Sequence, residues 1–266
     1  MRKGLSIFEA EVISNLVSEG KIVFSISELA EKTGSRIKAR KIASKLAKKN
    51  WLERIAKGTY LVLELGAGSK PEWTVDSYYL ASKLVSPYYV GYYNMLNDYG
   101  WTDQIPFSVT VATTKRLKNR EIHGVKYNFV TLTKNKFFGT VKKYIRGHEI
   151  VVSDLEKTIV DAFDHPEYCG GINEVAKVLQ NASEQIDWNK VIQYAEKLGN
   201  GAVFKRLGYV LELMEIDLEP SLMDKIRKNV SSGYSLLYPG AGNQGKYDNK
   251  WSLILNIELS KQKVLA

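Results

Sequence analysis

The stretch that most constrains this chain lies between Ser25 and Lys49, where two helix starts are separated by a two-residue turn. Ser25-Ile-Ser-Glu28 has capping-box spacing, in which the hydroxyl meets an orphan amide at the helix start and the Glu reaches back to the cap. With Ser25 as N-cap, Phe24 and Leu29 fall at the two positions of a hydrophobic staple. A short helix is therefore predicted over 26–32. Thr33-Gly34 makes a tight turn, with Gly34 suited to a left-handed C-cap. Ser35 is placed to cap a further helix running to about Lys49. Helix, tight turn, helix is the arrangement in which the second helix enters the major groove of DNA.

At 100° per residue, Ala39, Ile42, Ala43 and Leu46 share one face of that second helix and point to a core. Ile37, Lys41, Ser44 and Lys48 fall opposite, flanked by Lys38, Arg40 and Lys45. Arg36 sits at the N-terminal end, where recognition helices meet base edges. A merely solvated helix mixes signs and gains i,i+4 pairs, but this face holds no acid. Lys41/Lys45 and Lys45/Lys49 are like-charge pairs, a cost that phosphates would relieve. An outward Ile37 suits contact with a thymine methyl.

The flanking segments complete the module. Leu5 to Val17 reads as an amphipathic helix with Phe8, Val12, Leu16 and Ile13 or Val17 on one side, and Ile22-Val23-Phe24 as a short apolar link. Two β-rich runs between Trp51 and Leu63 flank Ala56-Lys57-Gly58, a hairpin with Gly in its turn. That hairpin would be the wing, with Arg54 and Lys57 near the phosphate backbone. Residues 1–65 are thus predicted to form a winged helix-turn-helix DNA-binding domain. Its contacts would be Ser35, Arg36, Ile37, Lys38, Arg40, Lys41, Ser44, Lys45, Lys48, Arg54 and Lys57.

Charge agrees. The net charge is +9. Residues 1–65 hold 13 Lys or Arg against 7 Asp or Glu, and the remainder holds 25 against 22. A basic excess concentrated in a quarter of the chain points to an anionic partner. No stretch approaches the ~20 apolar residues of a membrane helix, and no apolar run follows the basic N-terminus, so neither a membrane anchor nor a signal peptide is predicted. The single cysteine, Cys169, excludes an internal disulfide framework and fits a cytoplasmic setting. One Cys and three scattered His (His123, His148, His165) have no zinc-ligand spacing.

Residues 66–74, small, Gly-rich and containing Pro71, read as a linker. Residues 75–266 read as an α+β domain. Helices are predicted at 75–84, 88–99, 154–163, 171–181, 188–198, 202–214 and 221–228. Strands are predicted at 107–112, 127–132 and 149–152, and the alternation of Trp251, Leu253, Leu255, Ile257 and Leu259 predicts a closing strand over 251–259. Strands first and helices later favour α+β over a repeating βαβ fold. Seven of the 16 tyrosines lie between Tyr78 and Tyr99. About half belong to an aromatic core, and the rest are candidates for a partner surface.

Catalytic signals are weak. Gly240-Ala-Gly-Asn-Gln-Gly245 matches a dinucleotide fingerprint, but a strand follows it where a helix is needed, so it reads as a loop. Asp154, Glu156 and Asp161 beside Lys157 suggest a nuclease-like metal site. Against that, Ser153 to Glu156 is another capping box and Asp154 suits a helix N-terminus. No catalytic residue, metal or cofactor is predicted.

The second domain resembles a known family on these residues: Tyr88-Tyr-Val-Gly-Tyr92, Gly100-Trp-Thr-Asp-Gln104-Ile-Pro106, Val111-Ala-Thr113 and Phe138-Gly139. The series continues with Val152-Ser-Asp-Leu-Glu156-Lys157-Thr-Ile-Val-Asp161, Pro166-Glu-Tyr168-Cys-Gly170-Gly171-Ile, and the closing Tyr238-Pro and Trp251-Ser-Leu…Asn256. Together with the N-terminal module this resembles the antitoxin family of the AbiE abortive-infection systems, over nearly the whole chain. The resemblance implies a winged helix that represses its own operon at promoter inverted repeats in double-stranded DNA. It implies a C-terminal antitoxin domain that counteracts a nucleotidyltransferase-like toxin (a type IV toxin–antitoxin system in phage defence), and no enzymatic activity. It marks Tyr88, Tyr92, Gln104, Glu156, Lys157, Asp161, Tyr168, Gly170 and Gly171 as fold or partner-surface residues. With no dimer helix in evidence, a monomer or weak dimer binding cooperatively on DNA is expected. Two other readings stand beside it: a stand-alone winged-helix transcription factor with a ligand-sensing C-terminal domain, and a metal-dependent DNA-acting enzyme.

Overall fold

Hydroxyl residues set the first two helix starts. In the computed structural model, which describes residues 3–63 and 75–265, Ser6 and Ser25 each form a complete capping box, with Glu9 and Glu28 respectively. They open α1 (Ile7–Ser18) and, after β1 (Val23–Ser25), α2 (Ile26–Thr33). Gly34 takes a left-handed conformation (φ 69°). That conformation favours a residue without a Cβ, and it lets α3 (Arg36–Lys48) start directly after a tight corner. The hairpin of β2 (Leu52–Ala56) and β3 (Thr59–Val62) follows, and β3 lies between β1 and β2 in a three-stranded antiparallel sheet. Val12, Leu16, Phe24, Leu29, Ala39, Ala43 and Leu46 fill the core of this unit.

Two expectations here need correction. Ser35 stands at the N-cap of α3, but its side chain makes no capping hydrogen bond. Helix α1 buries Glu9, Val12, Ile13 and Leu16, and leaves Ile7, Phe8 and Val17 exposed. Its inner face is thus rotated from the one that Phe8 and Val17 suggested, because Glu9 is drawn inward by the cap and by two lysines, Lys45 of α3 and Lys49 at its end.

The chain divides into two compact units, Met1–Ser86 with Glu121–Gly124, and Pro87–Arg120 with Val125–Ala266. Helix α4 (Ser77–Leu84), capped by Asp76, packs against β1 and belongs to the first unit. The domain boundary read from the sequence, at residue 75, assigns this helix to the second. The predicted linker 66–74 lies outside the described residues.

From residue 87 on, the chain forms β4 (Tyr88–Val90), α5 (Tyr93–Asp98), β5 (Ser108–Thr113), β6 (Arg120–Ile122), β7 (Val125–Thr131), β8 (Thr140–Ile145) and β9 (His148–Ser153). These strands form a six-stranded mixed sheet of order β6-β7-β5-β4-β9-β8. Helices α6 (Leu155–Asp164), α7 (Ile172–Ala182), α8 (Trp188–Leu198), α9 (Gly201–Leu213) and α10 (Pro220–Lys228) follow. A small sheet of β10 (Ser235–Leu236), β11 (Lys246–Asp248) and β12 (Leu253–Leu255) comes next, then α11 (Lys261–Leu265). The fold class is therefore α+β, as predicted. Helix α6 lies in the middle of the packing, with every residue from Glu156 to Asp164 buried.

Here too some expectations fail. The helix predicted over 88–99 is a strand followed by a short helix. Tyr88–Val90 pairs with both β5 and β9, and the available sheet position overrides the helical spacing. None of the seven tyrosines from Tyr78 to Tyr99 is exposed: three are buried and four half-buried. The cap of α6 is Asp154, whose carboxylate accepts from the Lys157 amide, not Ser153. The closing strand shrinks to three residues. After it, Asn256 uses its side chain on the backbone of Tyr238 (3.0 and 2.7 Å) and on Gly242 O (2.7 Å), which pins a loop in place of a ladder.

Candidate nucleic-acid interface

Helix α3 and the hairpin face each other across a groove of about 520 Å³. Arg36, Arg40 and Ser44 line it from α3, and Arg54, Lys57 and Gly58 from the hairpin, with Ile26 and Tyr60 also contributing. Among the described residues no acidic side chain lines it. The β2–β3 register is interrupted between Arg54 and Ala56, and the Ile26 amide donates to Gly58 O (2.8 Å), tying the hairpin tip to the start of α2. The Phe24 and Tyr60 rings stack at 6.1 Å behind this wall. Arg54 Nε donates to Ala56 O (3.3 Å), which holds the arginine along its own strand.

The solvent face of α3 has three parts. Arg36, Arg40 and Ser44 form the edge next to the hairpin. Ile37, Lys41 and Lys48, all exposed, form the crest; Ile37 is 67% exposed, as the sequence pattern required. Lys38, Lys45 and Lys49 form the edge away from the hairpin. On that last edge the charge is partly neutralised. Glu9 of α1 is almost fully buried, and its carboxylate contacts Lys49 Nζ (2.6 Å) and Lys45 Nζ (3.2 Å). The Lys49 contact, then the Ser6 amide, hold the Glu9 carboxyl down at about 2, against the opposing effect of burial. The like-charge pair Lys45/Lys49 is thus relieved inside the protein. Among the described residues the edge beside the hairpin has no such counter-charge, so the positive field of this unit tilts toward Arg36, Arg40, Arg54 and Lys57.

The second unit sorts the family-motif residues differently. Tyr92, Glu156, Lys157 and Asp161 are buried. Lys157 contacts Asp161 one turn away, Tyr89 Oη donates to Asp161 Oδ2 (2.8 Å), and Lys157 Nζ donates to Tyr89 Oη (3.1 Å). Glu156 and Asp154 share Lys190, at 2.7 and 3.1 Å. Each of these carboxylates is thus countercharged by a lysine, and among the described residues no cluster has the make-up of a metal site. Gly170 and Gly171 both adopt positive φ (79° and 93°), and a Cβ on Gly170 would press Glu174, so they serve the backbone corner before α7. Of the motif residues Gln104, Tyr168 and Gly170 are exposed, and Tyr88 and Gly171 are half-buried. Tyr93 Oη donates to Gln104 Oε1 (2.8 Å).

Sequence reasoning missed two surfaces. Ile105 and Phe107, next to Gln104, are 77% and 97% exposed. Their apolar type concealed them, since such residues default to the core. Also, Thr113 to Gly147 is strongly basic, rich in Lys and Arg with Glu121 as its one acid. Strands β5 and β7 run parallel, with Thr113 opposite Thr131, so exposed Lys115, Arg116 and Lys118 leave the same end of the sheet as Lys134. Charge averaged over 66–266 hid this local excess. Cys169 is a buried free thiol whose ionisation burial pushes well up.

No family model matches the chain, and no curated protein is similar to it. Among solved structures it is similar to the crystal structure of the RV2827C protein from Mycobacterium tuberculosis, with a TM-score of 0.66 at 14% identity. The match covers 100% of this chain and 95% of that one. At this identity the likeness shows a shared fold, extending over the full length. Among the described residues, no helix is long and apolar enough to cross a membrane.

Proposed function

We propose that this chain is a cytoplasmic, DNA-binding transcriptional autorepressor and the antitoxin of an AbiE-type toxin–antitoxin phage-defence system, without catalytic activity of its own. The observation that carries the DNA-binding part is the acid-free surface shared by α3 and the hairpin, where Arg36, Arg40, Arg54 and Lys57 converge. In this reading the first unit works as a winged helix. The second helix of its helix-turn-helix, α3, enters the major groove of duplex DNA, with the hairpin as wing. Ile37 on the crest meets a base edge, and Lys41 and the arginine edge hold phosphates. A monomer or weak dimer binds cooperatively at inverted repeats.

The antitoxin part rests on the family resemblance of the second unit and on no single contact. The surface best suited to a nucleotidyltransferase-like toxin is the one around Gln104 and Tyr168, whose side chains are exposed, and it takes in Ile105 and Phe107 beside Gln104.

A gel-shift titration on the chain's own promoter, against an unrelated fragment of equal length, tests the repressor. Selective, salt-sensitive binding supports it. Equal weak binding to both fragments removes it. Co-expression with a cognate nucleotidyltransferase-like toxin tests the antitoxin, since failure to restore growth would exclude that role.

A further inference from the structure

A duplex-reading surface needs positive charge on a convex crest, and Ile37, Lys41 and Lys48 supply one. The four cations Arg36, Arg40, Arg54 and Lys57 lie elsewhere, around a concavity. Its volume of about 520 Å³ falls in the range of small-molecule sites. The walls are fixed without a ligand. The hairpin tip is bonded to the start of α2, and Ile26 and Tyr60 beneath are buried in the packed core. Guanidinium groups present planar forks of N–H donors that match phosphate oxygens bidentately, and Ser44 adds a hydroxyl. Among the described residues no carboxylate lines the groove to compete for those donors. Four cations held apart at a preformed concavity make a receptor for several linked phosphates, and nothing in it requires a base pair.

We propose that this groove is a phosphate-binding site in its own right, so that free polyphosphate anions and the DNA backbone compete for it. The proposal rests on the same cations as the DNA-binding reading and deepens it, while direct anion binding can be read without DNA. If it holds, a nucleoside triphosphate or inorganic polyphosphate would release the protein from DNA by occupying the arginine groove while the crest stays empty.

The test uses the full chain and inorganic tripolyphosphate, with sodium sulfate at matched ionic strength as control. ³¹P line broadening reports binding directly, and displacement of a labelled promoter fragment reports competition. The expected result is broadening, and displacement by tripolyphosphate at concentrations at least about tenfold below those of sulfate. Both effects should be lost in Arg40→Ala and Arg54→Ala and kept in Lys48→Ala, with circular dichroism confirming that all three fold. A nucleoside triphosphate that acts as strongly as tripolyphosphate supports a free-anion site. Binding to DNA with no broadening, and tripolyphosphate no better than sulfate, overturns the proposal and leaves the DNA-binding reading intact. Tripolyphosphate binding with no DNA binding would do the reverse.

Discussion

Lys45 on α3 and Glu9 on α1 stand 3.2 Å apart, and Lys49 closes on the same carboxylate from the next turn. This one buried acid makes the two edges of the basic face of α3 unequal, the one at Lys45 and Lys49 being partly neutralised. Every phosphate that the protein ceases to neutralise lowers the slope of log K against log salt by about 0.9. Arg40→Ala and Arg54→Ala should each lower that slope by about one and weaken DNA binding uniformly across sequences. Lys41→Ala should do the same from the crest. Lys45→Ala should change it by clearly less, because its charge is already shared with Glu9. A salt titration of the four variants decides; a Lys45 effect equal to that of Arg40 would sink the tilt toward the hairpin.

The Glu9 carboxylate can be removed with little loss of shape. In Glu9→Gln the amide oxygen still accepts at the capping box, so the helix start is kept and the stability lost is that of the charge pairing with Lys49 and Lys45. The two lysines are then free to meet phosphate, so DNA binding should tighten and its salt slope should steepen. The wild-type carboxyl is held at about 2. Its folded value lies below the unfolded one, so its contribution is present above about pH 4.5 and is lost as pH falls toward 2. Acid unfolding of wild type and Glu9→Gln should therefore converge at the low end of that window. Parallel curves there would show that the carboxylate contributes nothing.

Local signals and packing explain what could be read in advance. Ser25, Glu28 and Gly34 act within one turn of chain, so α2 and the corner before α3 were legible. The outward Ile37 followed from the spacing of Ala39, Ala43 and Leu46. Glu9 was not legible as the partner of Lys45 and Lys49, because both lysines lie far along the chain from it and the pairing depends on how α1 packs. Tyr88–Val90 has helical spacing but finds a place between β5 and β9, which no local window contains. Likewise Arg54 and Arg40 become neighbours on one groove only when the hairpin folds back on α3.

His165 should make the second unit sensitive to pH in the neutral range. Burial opposes its protonation, but the bond to Glu167 (2.9 Å) and the charge of Asp164 (3.5 Å) outweigh it, so its pKa is raised. Asp161 adds to the same field, and the rings of Tyr92 and Tyr168 pack beside the imidazole. A raised folded value means that the stabilisation is complete below the ordinary histidine range and fades as pH climbs through the folded value. The melting temperature should fall as pH rises from the ordinary histidine range through the raised folded value, and His165→Gln should flatten that decline. An equal decline in the variant would place the dependence elsewhere.

Lys157 and Asp161 offer the sharpest separation of fold from function. The pair lies at the centre of the second unit, fully enclosed, with Tyr89 Oη bridging it. Removing one charge strands the other in an apolar core, which costs roughly 3–5 kcal/mol. Lys157→Met and Asp161→Leu should therefore each lower stability by about that amount. The double variant removes both charges together, and should recover most of the stability, leaving only the Tyr89 hydroxyl short of a partner. Urea unfolding of the three variants measures the coupling. If the residues serve the fold alone, the double variant should also regain whatever toxin neutralisation the single variants lack. A double variant that is stable yet inactive would show instead that this buried pair takes part in antagonism.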